Sequence, residues 1–386
     1  MGCSVALLLA RRGARVALID EASVPFANAS RWNEGKIHLG YLYAGDPSLA
    51  TARKLVPGGL AFKSIVEELI GSSIDDAITR VDDIYLTHRD SVVDAPSMAA
   101  YIDKVTDLIH DHPDAQRHML GSGDARPVRM TARELSAVTS SAQIVAGFWT
   151  PERSVQTSLL ADRFIQAVDA EKRIEKIFNC RVEGIAESAG VWNVKSAPAS
   201  DTAFDVIVNA LWQGRAAVDT VSGFNDGEIW SYRYRLSLFV KTSQSCRLPS
   251  VMIATGPFGD IKNYNGRDLY LSWYPAGLVV DSTKVSEEDP PSPGAERERA
   301  VLRDTIAGLM EYFPDVPDIV ENAESVKIVG GWVIAPGSGS LADPASSLHR
   351  RDRFGVKRIG SYYSVDTGKY STAPWLARRI ADEILG

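Results

Sequence analysis

The stretch MGCSVALLLARRGARVALID, residues 1–20, carries the strongest fold signal in the chain. Its apolar residues over 5–10 have helical spacing, and Gly13 interrupts them. Residues 16–19 then form a short apolar run that ends on Asp20. This order predicts a helix, a glycine turn and a short buried strand that ends in a carboxylate.

The same order is typical of the second half of a βαβ unit that binds a dinucleotide. In such a unit a strand leads into a G-x-G-x-x-G loop, and the last glycine lets the following helix pack closely on the sheet. Gly2 matches that glycine, and Asp20 lies 18 positions beyond it, near the roughly 20-residue gap to the ribose-binding acid. Glu21 is a second acid at the same strand end. The alternative is an amphipathic helix followed by an ordinary core strand.

The sequence does not contain the first strand of such a unit or the first two glycines of its loop. We therefore interpret Met1 as an internal methionine, made the start by a misplaced start site or by a real truncation. We expect the upstream reading frame to add a strand and the beginning of the G-x-G-x-x-G loop.

The composition limits the possible classes of function. The chain has 386 residues, of which 45% are hydrophobic and 24% charged, enough for a large core and more than one domain. The formal net charge of -7 argues against a nucleic acid or an anionic membrane as partner. No apolar run approaches the ~18–20 residues of a membrane span. The scattered cysteines Cys3, Cys180 and Cys246 suit a reducing, cytoplasmic compartment.

The loop after Asp20 is rich in small and polar residues and contains SRWNEGKIHLG at residues 30–40. This segment resembles the Ser-Arg-x-Asn-x-Gly-like segment of the D-amino-acid-oxidase-like family of FAD-dependent oxidoreductases, which includes glycine, sarcosine and 2-hydroxyglutarate oxidases. In that family the segment passes beneath the flavin pyrophosphate and ring, and G-K-I-H-L-G is most similar to the hydroxyglutarate oxidases. The resemblance implies an FAD cofactor, with Gly2, Asp20 and Glu21 in its fingerprint. It also implies cofactor contacts at Ser30, Arg31, Asn33, Gly35, Lys36 and Ile37.

The C-terminal run carries a second resemblance to this family. Residues 367–374, TGKYSTAP, lie between a predicted strand and the helix that Pro374 helps to start. A helix N-terminus offers free N–H groups and a partial positive charge, which suit the flavin N1–C2=O edge, where negative charge gathers on reduction. The family's C-terminal loop lies there, which implies contacts at Gly368, Lys369, Tyr370, Ser371 and Thr372.

The resemblance implies further cofactor contacts in the middle of the chain. After the apolar strand 206–208, family members have Asn-Ala-Ala-Gly, and the loop returns the chain towards FAD. Here Leu-Trp-Gln-Gly at residues 211–214 replaces the usual Ala-Gly. The implied contacts are therefore Ala210 and Leu211. Val182 matches a backbone contact to the adenine.

The other segments predict a mixed α/β chain. Residues 49–70 have the pattern of a helix, interrupted around Pro57-Gly58-Gly59. Residues 228–285 contain short aromatic-rich strands joined by turns, which predict an antiparallel sheet. The acidic, proline-rich SEEDPPSPGAERER, residues 286–299, predicts a surface loop that leads into a helix.

Together with the resemblance, these segments predict an α/β fold. It comprises a Rossmann-like FAD-binding domain that lacks its first strand and a β-rich, mainly antiparallel substrate domain. We expect the FAD-binding domain to comprise residues 1–80, 150–215 and 330–386, and the substrate domain to comprise 81–149 and 216–329.

The resemblance implies that FAD oxidises a C–N or C–O bond of a small-molecule substrate and that O2 or another acceptor reoxidises the flavin. We favour the C–N bond of a small amine or amino acid. The alternatives are oxidation of a 2-hydroxy acid and a truncated chain that keeps the fold without the chemistry.

The catalytic candidates follow from these two chemistries. A hydroxy acid needs a base for its hydroxyl proton, and His38 is the candidate; the alternative is a histidine satisfied by a local backbone group. For an amine donor, the groups that would orient a carboxylate are Lys36, Lys369, Tyr274 and either Arg233 or Arg235.

Two sets of side chains have plainer alternatives. Arg233 and Arg235 alternate with tyrosines and share a strand face, which is equally typical of a solvated sheet edge. His110, His112 and His118 lack a carboxylate or cysteine that would complete a metal site, so we predict no metal.

Overall fold

The computed structural model describes residues 1–119, 125–198, 202–224, 227–284 and 293–386. The helices are α1 (Gly2–Arg11), α2 (Ala50–Ile70), α3 (Ala95–His110), α4 (Ala132–Val138), α5 (Thr157–Ala170), α6 (Arg215–Val221), α7 (Tyr274–Gly277), α8 (Ala295–Met310), α9 (Val316–Glu321) and α10 (Ala373–Leu385). The strands of the first half are β1 (Val16–Ile19), β2 (Asp83–His88), β3 (Val128–Arg129), β4 (Ile144–Thr150), β5 (Ile174–Ile177), β6 (Arg181–Ser188) and β7 (Val191–Ala197). Those of the second half are β8 (Ala203–Phe204), β9 (Ile207–Asn209), β10 (Trp230–Thr242), β11 (Val251–Ala254), β12 (Gly259–Asn263), β13 (Asp268–Trp273), β14 (Leu278–Ser282), β15 (Ala323–Pro336), β16 (Gly355–Ile359) and β17 (Tyr362–Asp366).

The strands form small sheets on one side of the molecule and a large sheet on the other. β1 pairs with β5 in parallel, and β9 is the end strand of the sheet β16-β17-β9. β6, β7 and β8 form a separate antiparallel sheet. The large sheet has the order β14-β10-β13-β12-β11-β2-β4-β3, with β15 also paired to β10. Its pairings are antiparallel except that of β11 with β2.

Each part of the molecule has its own apolar core. The larger core joins α1, α2, α3, α5 and α10 with β17. A second core lies between the large sheet and the helices α8 and α9. Helix α3 packs into the first core, whereas β2, β3 and β4, which flank it in the chain, belong to the large sheet. Among the described residues, no helix is both long and apolar enough to cross a membrane.

Helix α2 runs without a break through Pro57, so the predicted interruption is wrong. A proline inside a helix removes one backbone hydrogen bond. However, α2 buries side chains along its whole length, including Leu55, Leu60 and Val66, and burial of each large apolar side chain contributes roughly 1.5–3 kcal/mol. Packing therefore outweighs the local cost of the proline.

Strand β1 is half-buried along its four residues, although the sequence predicted a buried strand. β1 pairs only with β5, and β9 pairs only with β17 among the described strands. The unpaired sides of β1 and β9 line the same cavity. The open cavity explains the exposure of residues 16–19.

Strand β10 lies inside the large sheet. It pairs with β15 from Trp230 to Thr242 and with β13 and β14 on its other side. The side chain of Arg233 is therefore buried, and a solvated edge at this strand is ruled out.

Two sequence boundaries can be compared with these elements. The predicted domain boundary at residue 330 falls inside β15 rather than between elements. Residues 286–292 of the predicted surface loop lie outside the described residues. The prediction of a loop is wrong for residues 295–299, because α8 begins at Ala295.

Candidate functional site

A cavity of about 1830 Å3 lies between β1 and β9. It is lined by the first turn of α1, by β1, by the loop after β1, by the start of β6 and by the loop after β9. Predicted cofactor residues from distant parts of the chain meet on its wall: Gly2, Asp20, Glu21, Ser30, Val182, Ala210 and Leu211. The fold therefore brings these seven positions to one concave surface.

The next three predicted residues, Arg31, Asn33 and Gly35, fix the loop after β1 and do not line the cavity. Arg31 forms an ion pair with Asp162 at 2.6 Å, and the side chain of Asn33 accepts the N–H of Gly35 at 2.8 Å. Gly35 has φ +66, and a Cβ there would lie 1.9 Å from the carbonyl oxygen of Val155. These contacts explain the loop's shape without a ligand.

Lys36 lies in a fully buried network of charges. Its amino group binds Asp83, which also accepts a hydrogen bond from Lys262 at 2.9 Å. Glu152 lies 3.4 Å from the Lys36 amine and accepts the Tyr85 hydroxyl. The Lys36 side chain has no exposed surface. Its amine is therefore bound by protein carboxylates, which differs from the predicted role of orienting a substrate.

The network keeps its charges because they are paired. Burial would raise the pKa of Asp83, but Lys262 and Lys36 hold it below its ordinary value. Burial would likewise lower the pKa of Lys36, but Asp83 and Glu152 raise it. Sequence analysis missed Asp83, Lys262 and Glu152. The available signal was the acid Asp83 at the start of the apolar strand β2, whereas β12, with the sequence GDIKN, has no apolar pattern that would mark Lys262.

Two glycines of α2 join the two segments that the resemblance placed near the flavin. A Cβ on Gly58 would lie 2.7 Å from Thr372 Cγ2, and a Cβ on Gly59 would lie 2.3 Å from the carbonyl oxygen of His38. The loop around His38 and the loop before α10 therefore lie against one helix surface. The two glycines of the Pro-Gly-Gly run therefore allow Thr372 and the His38 backbone to pack closely against α2.

His38 is 2% exposed, and its ring centroid lies 5.5 Å from that of Tyr43. Burial, together with the charges of Lys369 and Lys36, holds the pKa of His38 well below its usual range. Its Nδ1 atom has no hydrogen-bond partner in the described part of the chain. His38 is thus a neutral imidazole at physiological pH.

Tyr274 lies between the two arginines of β10. Arg233 Nη1 donates to the Tyr274 hydroxyl at 3.0 Å, and the Arg235 guanidinium lies 4.5 Å from the centre of the same ring. Arg235 also donates to Ser272 Oγ at 2.7 Å. Tyr274 therefore contacts both arginines.

Lys369 and Arg351 extend this basic cluster from the C-terminal part of the chain. The Lys369 amine lies 5.6 Å from the ring centre of Tyr43. Burial and the charge of Arg351 lower the pKa of Lys369 to about 7. Burial and Arg233 lower the pKa of Arg351 to about 10. Sequence analysis missed Arg351 because the run RRDRF resembles a charged surface segment.

Comparison with known proteins identifies the family. A family model described as "FAD dependent oxidoreductase" (DAO) matches residues 1–382. The chain belongs to this family. A search of curated protein sequences gave no match.

Solved structures with the same fold include glycine oxidase from Geobacillus kaustophilus, at 15% identity and a TM-score of 0.65, covering 99% of this chain and 92% of that one. Iminodiacetate oxidase from Chelativorans sp. BNC1 is 16% identical, with a TM-score of 0.64 and coverage of 100% and 92%. L-proline dehydrogenase from P. horikoshii is 13% identical, with a TM-score of 0.66 and coverage of 99% and 90%. The predicted fold class is confirmed: this FAD-dependent oxidoreductase has a Rossmann-like part and a mainly antiparallel sheet.

The cavity wall of this FAD-dependent oxidoreductase has groups suited to FAD. Asp20 Oδ1 accepts the N–H of Ala22 at 2.9 Å, and burial raises the pKa of the Asp20 carboxyl. A carboxylate in this setting gains from a further donor such as a ribose hydroxyl. The first turn of α1 opens on the cavity, and the backbone N–H groups of Gly2 and Cys3 are outside its helical hydrogen bonds. Such a turn suits a pyrophosphate.

One predicted reason for Gly2 is wrong. A Cβ at this position would contact Leu18 and Ala210 at 3.7 and 3.8 Å, which are ordinary contact distances. Close packing of α1 on the sheet therefore does not require glycine here.

The loop before α10 has the turn and helix start predicted for it. Gly368 has φ +64 and its N–H binds Asp366 Oδ1 at 2.9 Å. Thr372 Oγ1 donates to the Lys369 carbonyl at 2.8 Å, and the Ser371 hydroxyl has no partner among the described residues. The ring of Tyr370 packs on Phe62 of α2. In the described part of the chain, no cluster of His, Cys, Asp and Glu could hold a metal ion.

Proposed function

We propose that this flavoenzyme oxidises the C–N bond of a small amino acid or amine. The observation that carries the proposal is the pairing of a basic cluster at Tyr274 with a lysine whose pKa is about 7. Bound FAD would accept the hydride from the substrate carbon, and O2 or another acceptor would then take the electrons. The protein's residues would orient the substrate and hold its proton.

The first task is to bind the substrate carboxylate. Arg233 is 2% exposed, and its Nε and Nη2 atoms have no partner among the described residues. A guanidinium binds a carboxylate through two parallel hydrogen bonds. Its third nitrogen is already fixed by the Tyr274 hydroxyl. Arg233 is thus oriented to hold an acid group.

The second task is to take a proton from the amine, which arrives as an ammonium ion. The acceptor must be neutral near physiological pH and must hold the proton once it has it. Lys369 meets both requirements because its pKa is about 7. The protonated Lys369 would then lie in the basic cluster beside the substrate's acid group.

We also propose that FAD binds at the wall of this cavity where the first turn of α1 and the loops after β1 and β9 meet, at the carboxyl ends of these strands. Asp20 and Glu21 would hold the ribose, the first turn of α1 and Ser30 the pyrophosphate, and Val182 the adenine. Ala210 and Leu211 would complete the wall. The segments 35–37 and 368–372 would lie at the flavin end, because α2 holds both against one surface.

We expect Asp20→Ala to weaken FAD binding. A charge-assisted hydrogen bond contributes roughly 1.5–3 kcal/mol, so the dissociation constant should rise about 10- to 150-fold. Titration of apoprotein with FAD, followed by flavin fluorescence, measures the change. Asp20→Asn is the matched variant, because its amide oxygen can still accept the Ala22 N–H. An unchanged affinity in both variants would mean that Asp20 only shapes the strand end.

Oxidation of a 2-hydroxy acid is the second candidate function. It is favoured by the unpartnered Nδ1 of the neutral His38, which could accept a hydroxyl proton. The low pKa of His38 argues against this function, because an imidazole that binds a proton weakly is a weak base.

Anaerobic reduction by matched pairs of 2-amino and 2-hydroxy acids tests the two functions. With amino acids, we expect His38→Asn to reduce the flavin at a rate within about tenfold of wild type. With hydroxy acids as the true donors, loss of the base should slow reduction about 10²–10⁴-fold. Fast reduction of wild type by hydroxy acids alone, lost in His38→Asn, would reject the C–N proposal. Equal rates in wild type and variant for both classes would make His38 structural.

A further inference from the structure

In the described part of the chain, three arginines of the basic cluster have buried nitrogens without a hydrogen-bond partner: Arg233, Arg235 and Arg351. Buried nitrogens of Arg233 (Nε and Nη2) and of Arg351 (Nη1) have no hydrogen-bond partner among the described residues. No ion pair joins either guanidinium to a described carboxylate. By contrast, the buried Arg215 pairs with Asp219 at 2.9 Å. Arg235 donates to Ser272 Oγ. Burial would lower the pKa of Arg235, but the nearby Tyr270, Asp260 and Glu34 raise it. Arg233 and Arg351 therefore remain as a pair of like charges without a described carboxylate as partner.

Arg233 and Arg351 come from separate elements of the chain. Arg233 belongs to β10. Arg351 follows the short helix Ser347–His349, and its backbone N–H binds Thr51 Oγ1 of α2 at 3.0 Å. Arg351 is close enough to Arg233, Tyr43 and Tyr274 for their charges to shift its pKa.

The nearest acids do not neutralise this pair. Asp366 acts on Arg351, but burial raises the pKa of Asp366, and one of its oxygens accepts the Gly368 N–H. Glu34 acts on Lys369 and Arg235 and forms no ion pair with Arg233 or Arg351 in the described part of the chain. Two like charges held inside a protein without counterions are costly. A ligand with two negative charges would remove that cost.

We infer that the substrate is an amino acid with two carboxylate groups, one bound by Arg233 with Tyr274 and the other by Arg351. The inference rests on the proposed function, because it places the substrate at the same site. A single carboxylate would leave one guanidinium without a counterion. Two carboxylates on a short carbon chain satisfy both arginines and leave Lys369 to take the amine proton.

The test measures binding of unreactive acids to the FAD-loaded protein through the change in flavin absorbance. Succinate is compared with butyrate, and glutarate with valerate, so that chain length is matched. Wild type should bind each diacid about 10- to 150-fold more tightly than its monoacid, as expected for one further charge-assisted hydrogen-bonded pair. Arg351→Met should bring the ratio of the monoacid dissociation constant to the diacid dissociation constant close to one. Arg297→Met, on the exposed face of α8, should leave it unchanged.

The stability of the variant separates this role from a structural one. Removing Arg351 relieves repulsion with Arg233, so Arg351→Met should melt no lower than wild type, whereas a structural arginine would lower the melting temperature. Arg351→Lys keeps the charge and should restore part of the diacid preference. Equal binding of monoacids and diacids by wild type would overturn the inference. A preference that persists in Arg351→Met would do the same.

Reduction of the flavin by amino monoacids, amino diacids and 2-hydroxy diacids distinguishes a failure of this inference from a failure of the proposed function. If amino monoacids reduce the flavin as well as amino diacids do, the diacid inference fails and the C–N proposal stands. If only 2-hydroxy diacids reduce it, the C–N proposal fails, and the preference for two acid groups stands.

Discussion

Replacing Lys369 with methionine is expected to lower kcat/KM for amino acid substrates about 10²–10⁴-fold near pH 8, the range for loss of a general base. The pKa of Lys369 is lowered to about 7 by burial and by Arg351, with smaller effects of Arg233 and Arg235 and an opposing effect of Glu34. At pH 8 the amine is therefore mostly neutral and can take the substrate's proton. Methionine keeps the length of the side chain and removes the base.

The pH profile gives this prediction a specific signature. In wild type, kcat/KM should rise as Lys369 loses its proton and level off above pH of about 7 to 8. Lys369→Met should lose this rise of kcat/KM with pH, whereas Lys104→Met, on the exposed face of α3, should keep it. If the rise of kcat/KM with pH persists in Lys369→Met, another group takes the substrate's proton.

Stability provides an independent measurement on the same variant. The folded pKa of Lys369, about 7, lies below the ordinary lysine value of 10.5. Between these values the unfolded chain binds more protons, so stability rises with pH across this window. The charged lysine is thus most destabilising below pH 7. Lys369→Met should raise the melting temperature most at low pH and least above pH 10.

Asp83→Ala should have the largest effect on folding. Removing one partner of a buried ionic network costs about 3–5 kcal/mol, because the remaining charges are left without compensation. Asp83 is the shared acceptor of Lys36 and Lys262, and all three side chains are fully buried. Urea unfolding of the FAD-loaded protein should show this loss. Asp103→Ala, at an exposed position of α3, serves as the matched control.

The network should also make the free energy of unfolding depend on pH in the acid range. Lys262 and Lys36 hold the pKa of Asp83 below its ordinary value, so its contribution is present at neutral pH and is lost as pH falls through the acid range. The double variant Asp83→Leu, Lys262→Met should recover part of the stability, because Lys36 keeps Glu152 as its partner and the charge of Lys262 is removed. A loss under 1 kcal/mol in Asp83→Ala would contradict the pairing.

Local sequence signals predicted the parts of the site whose role depends on the backbone. The apolar run that ends on Asp20 and the Gly368 turn before α10 each have a signature within a few residues. Both were found where the pattern placed them. The aromatic alternation of 228–285 likewise predicted strands of the large sheet.

The rest depends on contacts between distant segments. Gly58 and Gly59 resemble a helix break, but they are needed because Thr372 and His38 pack against them. Lys36 resembles a ligand group until β2 and β12 bring Asp83 and Lys262 to it. Arg351 lies in a charged run and is distinguished only by the Arg233 that the fold places near it. These pairings join segments that are from 21 residues (His38 and Gly59) to 314 residues (Gly58 and Thr372) apart, and they leave no local pattern.

The central claim is that this site oxidises a C–N bond. The most direct measurement is a single anaerobic turnover of the FAD-loaded protein with an amino diacid, followed by analysis of the products. Oxidation of the C–N bond gives an imine, and water converts the imine to an oxo acid and ammonia. The account predicts one ammonia and one oxo acid for each flavin bleached. Bleaching by the matching 2-hydroxy diacid alone, with no ammonia from any amino acid, would contradict it.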